Sequence, residues 1–89
     1  MPTYQIRVSG KVQGVFFRVN ARDRARELGI TGWVKNAANG EVQITAAGED
    51  KAIEDFLKWC KAGPPQSRVD EVQVKPIDEV EFSTFEIIR

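Results

Sequence analysis

Tyr4, Ile6 and Val8 alternate with Gln5, Arg7 and Ser9, the period of a strand with one face buried, and the run ends at Gly10. Beyond a loop, Phe17, Ala21, Ala25 and Leu28 recur at helical spacing, while Arg22, Asp23, Arg24, Arg26 and Glu27 occupy the remaining surface; Gly29 suits the position just past a helix end. This helix runs from residue 17 or 18 to 28, or starts later with Asn20 as its cap and Asp23 three residues on. Residues 30–36 read as a short strand, and Asn39-Gly40 marks a hairpin turn into a second strand over 41–46. A helix begins at Glu49 or Asp50, with Ala52, Ile53, Phe56, Leu57 and Cys60 as a broad apolar stripe flanked by Trp59, and Gly63-Pro64-Pro65 stops it. A strand over 69–75, broken at Pro76, and a shorter one near 82–88 complete the chain.

The order is βαββαβ with an extra terminal strand, and the strands alternate rather than being apolar throughout. That combination predicts an α+β fold in which an antiparallel sheet has both helices on one face, the ferredoxin-like split βαβ sandwich. The third strand then inserts between the first two, which run the same way through a right-handed crossover. The loop after the first strand and the end of the second therefore share one edge, two strand spacings or roughly 9 to 10 Å apart. Arg18 and Asn36 become neighbours across a small cleft.

The connecting stretch Ser9-Gly10-Lys11-Val12-Gln13-Gly14-Val15-Phe16-Phe17-Arg18 carries the candidate chemistry. Gly10 and Gly14 permit backbone conformations and close approaches that a Cβ would obstruct, and the helix start leaves N–H groups without intrahelical partners. Arg18 is a cation beside the partial positive charge of a helix N-terminus, an unfavourable place unless an anion sits between them. Phosphate is the natural candidate.

Composition narrows the classes. The 89 residues suit a single domain spanning 1–89, and 13 basic against 13 acidic residues leave no field to gather nucleic acid or an anionic membrane surface. No apolar run approaches the roughly 20 residues of a membrane span. Cys60 has no partner for an internal disulfide and the first residues lack the features of a signal peptide, so a cytoplasmic monomer is expected. With no histidine and no cluster at metal-ligand spacing, neither a metal nor any other cofactor is expected.

Three segments, Gly10-Lys11-Val12-Gln13-Gly14-Val15-Phe16-Phe17-Arg18, Leu28-Gly29-Ile30-Thr31-Gly32-Trp33-Val34-Lys35-Asn36 and Asn39-Gly40-Glu41-Val42, together resemble the paired signature of the acylphosphatase family. The resemblance extends over essentially the whole chain. It implies a ferredoxin-like fold, hydrolysis of the carboxyl–phosphate bond of acyl phosphates, phosphate binding by Arg18 and orientation of the attacking water by Asn36. One departure is Ala21, where many members have threonine three residues after the arginine.

The chemistry is coherent without the resemblance. An acyl phosphate has a good leaving group, so holding the phosphoryl group and aiming a water suffices. Backbone N–H groups of Gln13, Gly14, Val15, Phe16 and Phe17, with the Arg18 guanidinium, are the expected phosphate ligands, and inorganic phosphate should compete for them. The Asn36 amide positions water, whose proton passes to a phosphate oxygen. If the last strand returns to this edge, the carboxylate after Arg89 is placed to pair with Arg18. Plainer roles go to Asn39 in the hairpin, to Phe16 and Phe17 in packing, to Trp33 on the open sheet face, to Cys60 as a buried hydrophobe, and to Arg22, Arg24 and Arg26 on a solvated face. The rival reading is a binding module: an RNA binder, which lacks an aromatic platform on the third strand, or a non-catalytic phosphate sensor, which has no need of Asn36.

Overall fold

The computed structural model describes residues 1–89. Strands β1 (Thr3–Lys11), β2 (Thr31–Asn36), β3 (Val42–Ala47), β4 (Arg68–Ile77) and β5 (Phe85–Ile87) alternate with helices α1 (Phe17–Glu27) and α2 (Asp50–Ala62). They form one sheet in the order β4-β1-β3-β2-β5, the ferredoxin-like arrangement with an added edge strand. Ile6 and Val8 of β1, Val34 of β2 and Val42, Ile44 and Ala46 of β3 project from the same face, against Phe17, Ala21 and Ala25 of α1 and Ile53, Phe56 and Cys60 of α2. Aromatic rings join the two helices and the sheet: Phe17 lies 5.2 Å from Trp59 and Phe56 6.0 Å from Phe85, centroid to centroid. Burial pushes the Cys60 thiol pKa up, as befits a small apolar group in this layer.

β1 pairs antiparallel with β3 and β4, and β3 pairs antiparallel with β2. β5 departs from the expected all-antiparallel sheet by running parallel to β2, so the sheet is mixed. Residues 78–84 explain the direction. β4 and β5 occupy opposite edges, and the segment between them crosses beneath the end of the sheet that holds Thr3 and Gly32. The Val80 N–H donates to Thr3 Oγ1 at 3.3 Å and the Gly32 N–H to the Thr84 carbonyl at 3.0 Å. A strand begun at that end has to run alongside β2.

Two expectations about the strands are corrected. Pro76 does not break the fourth strand, which continues to Ile77 with Pro76 opposite Tyr4. β4 is an edge strand, so a missing N–H is tolerated on its unpaired side. Gly10 belongs to β1 rather than to the loop. The β1–β4 register shifts between Ser9 and Gly10, and a Cβ on Gly10, whose φ is 124°, would collide with the backbone of Arg68 and Asp70. Its missing side chain serves a β-bulge.

Candidate active site

The loop between β1 and α1 is held by its apolar residues and turned by two positive-φ positions. Val12, Val15 and Phe17 are buried and anchor it to the core. Between them, Gly14 has φ 75° and Phe16 has φ 62°, the latter being the one non-glycine residue in the molecule with a left-handed backbone. Phe16 is also the residue that caps α1. The Asn20 amide and N–H both donate to the Phe16 carbonyl, at 2.8 and 3.1 Å. Asn20 therefore lies inside the first turn and is not the helix cap, and Phe16 is 72% exposed rather than packed.

The pinned loop leaves a row of donors. None of the backbone N–H groups from Gln13 to Val19 donates to a protein acceptor, because four of these residues precede the helix and the rest lie in its first turn. α1 has no acidic residue in that turn to answer its dipole. Arg7, Arg22, Arg24, Arg26 and Arg68 each pair with a carboxylate, whereas Arg18 forms no ion pair. A cavity of about 290 Å³ opens here, lined by Val12, Gly14, Phe16, Phe17, Arg18, Val19 and Ile87. It brings together Gly14, Phe16, Phe17 and Arg18 among the anticipated residues; Val15 faces the core, and Gln13 and Asn36 lie outside its walls.

Asn36 reaches the same end of the molecule by topology. It closes β2, level with Val8 through Val42, and shares the helix-facing side with Val34. α1 packs on β2 and starts at this end. The loop is tied to the turn after Asn36 by a contact that sequence reading missed: Gln13 Nε2 donates to the Ala37 carbonyl at 2.8 Å and to the Glu41 carbonyl at 2.9 Å. The turn is braced in its own right. The Asn39 amide and the Arg7 guanidinium donate to Glu41 Oε1, and these bonds, Asn39's foremost, hold the Glu41 carboxyl below the ordinary carboxylate range. Asn39 thus serves the hairpin. Gln13→Leu should remove two half-buried hydrogen bonds, lowering Tm by about 5 °C or more in thermal unfolding.

Asn36 itself is half-buried, and its Oδ1 is buried without a partner. The residue is not part of the cavity wall that holds Arg18, and its amide carries both a donor and an acceptor end.

Two other expectations change, and Ala21 keeps its place on the apolar face. β5 does run toward this end, yet no ion pair joins the carboxylate after Arg89 to Arg18. The Ile88 N–H donates to the Val34 carbonyl at 2.9 Å, keeping the chain on the edge of β2. Arg26 is not merely solvated: its Nε donates to the Phe85 carbonyl at 3.1 Å and its Nη2 to Glu86, fastening β5 to α1. Ala21 is wholly buried against the sheet and contributes no polar group to the helix start. Nowhere do three His, Cys, Asp or Glu side chains converge as a ligand set. No helix is long and apolar enough to cross a membrane.

The acylphosphatase family profile matches residues 4–87. An acylphosphatase from Anaeromyxobacter dehalogenans is 46% identical over 84 residues, covering 93% of this chain and 90% of that protein. One from Methylococcus capsulatus is 39% identical over 90 aligned positions, covering 100% and 98%. The crystal structure of acylphosphatase from Bacillus subtilis superposes with a TM-score of 0.96 at 37% identity, over all of both chains.

Proposed function

The chain belongs to the acylphosphatase family and is an enzyme that hydrolyses acyl phosphates, and from that premise we propose how its own residues carry out the reaction. The phosphoryl oxygens are held by the N–H groups of Gln13, Gly14, Val15, Phe16 and Phe17 and by the Arg18 guanidinium. The observation that carries this assignment is the run of loop N–H groups without protein acceptors, beside an arginine without a carboxylate. Fixed donors of this kind stabilise charge that grows on the phosphoryl oxygens in the transition state and need no reorganisation when the reaction occurs.

Asn36 presents its amide to the attacking water. The water oxygen forms a bond to phosphorus as the phosphorus–oxygen bond to the acyl group breaks, and the carboxylate leaves with that electron pair. The water proton passes to a phosphoryl oxygen, giving inorganic phosphate. No histidine is present to serve as a base, and the substrate's own oxygens take that part. The side chain is available for this role, since its Oδ1 has no protein partner and Asn36 closes β2 at the end where α1 starts.

Turnover of benzoyl phosphate, with inorganic phosphate as inhibitor, tests the reading. Competitive inhibition by phosphate, and by sulfate, is expected; noncompetitive inhibition by both would put their site away from the loop. Activity should persist after exhaustive chelation, because the proposed steps use only N–H groups, a guanidinium and an amide. A rate that collapses with chelator and returns with a divalent ion would contradict it.

A further inference from the structure

Phe16 has no structural explanation in the loop. Its left-handed backbone is strained for a residue with a bulky side chain, and glycine would satisfy the same geometry without strain. Packing does not repay the strain, because the ring is 72% exposed. Phe16 instead lines the cavity that holds Arg18, together with Val19, 41% exposed on the first turn of α1, and Ile87 of β5. Arg18 is the one charged residue among the seven that line it. An opening of about 290 Å³ lies at the small end of ligand sites, roughly 300 to 1,000 Å³.

We propose that Phe16, Val19 and Ile87 form the acyl subsite, selecting acyl phosphates whose acyl group is neutral and apolar, aromatic groups above all. This rests on the reading of Arg18 and the loop as the phosphoryl site, since it places the acyl group on the apolar wall next to them. The three side chains come from the loop, the helix and the added edge strand, so β5 has a part in substrate choice as well as in closing the core. An aromatic acyl group covers apolar surface that is otherwise wet. A carboxylated acyl group would bring a second negative charge against the same wall, where no further cation answers it.

The test compares kcat/KM for benzoyl, acetyl and succinyl phosphate in the wild type and in two variants. Phe16→Asn keeps a residue that tolerates the left-handed backbone while removing the ring, and Val19→Thr keeps the shape while adding a hydroxyl. The wild type should prefer benzoyl over acetyl phosphate and disfavour succinyl phosphate. The benzoyl-to-acetyl ratio should fall about tenfold in Phe16→Asn and severalfold in Val19→Thr. An unchanged ratio in both variants, with or without a uniform loss of rate, would overturn the subsite. A wild type that binds phosphate but turns over none of the three substrates would instead overturn the hydrolase reading beneath it.

Discussion

Replacing Arg18 with alanine should remove phosphate affinity and turnover together, lowering kcat/KM for an aryl acyl phosphate on the order of 10³. The guanidinium is the only side-chain cation in the cavity, and a bidentate, charge-assisted contact to phosphate is among the stronger polar interactions available to a protein. On the proposed reading the group touches the phosphoryl oxygens before and during the reaction, so binding and rate should be lost in parallel. Lysine restores the charge but not the planar fork, so rescue should be partial. The variant should nevertheless fold at least as well as the wild type. Arg18 has no carboxylate partner and sits in the first turn of α1, where a cation opposes the helix dipole, so removing it should raise Tm slightly. Calorimetric phosphate binding, benzoyl phosphate turnover and thermal unfolding on one preparation check all three. A destabilised Arg18→Ala would mean that the arginine supports the fold, and unchanged phosphate affinity would remove it from the site.

The residues of that prediction were readable from the chain because their arrangement is local. A strand period ending before a glycine-containing loop, followed by a helix whose start bears an arginine, marks the proposed anion site over a few consecutive positions. The split βαβ order was equally visible, since period 2 and period 3.6 segments alternate cleanly and Asn39-Gly40 announces the hairpin. What escaped depends on partners distant in sequence. Gly10 reads as a loop glycine until β4 is placed beside it, when the bulge at Asp70 accounts for its missing side chain.

The direction of β5 is similarly invisible in three residues. It follows from the route of residues 78–84 and is secured by Arg26, whose guanidinium reads as one more surface charge on α1 until the Phe85 carbonyl is found beneath it. The Gln13 amide looks like a polar loop residue, yet it bonds two carbonyls of the turn that follows Asn36. The local signal thus singled out Arg18 and Asn36 as candidates, while the contact that ties the loop of one to the turn after the other lay in tertiary structure. Phe16 shows the opposite limit. Apolar character suggested packing, but the left-handed backbone that the loop imposes turns its ring outward.

Asn36→Ala should separate orientation of water from binding of phosphate. The amide is outside the walls of the cavity that holds Arg18, and the tie through Gln13 joins the loop to the carbonyls of Ala37 and Glu41, not to the Asn36 side chain. Removing that side chain therefore leaves the phosphate donors and their brace in place. Phosphate should bind within a few fold of the wild type, while turnover of benzoyl phosphate falls on the order of 10², the scale seen when one fixed polar group is removed from a reaction centre. Stability should change little, because Oδ1 is buried without a partner and its deletion forfeits no hydrogen bond to that atom. Asn36→Asp provides the contrast: it keeps the shape but adds a negative charge at the end of β2 nearest the loop, so phosphate affinity should fall along with turnover. Retention of near-normal turnover by folded Asn36→Ala would refute the water-positioning role. Loss of phosphate affinity as complete as in Arg18→Ala would make Asn36 a ligand of the phosphoryl group instead.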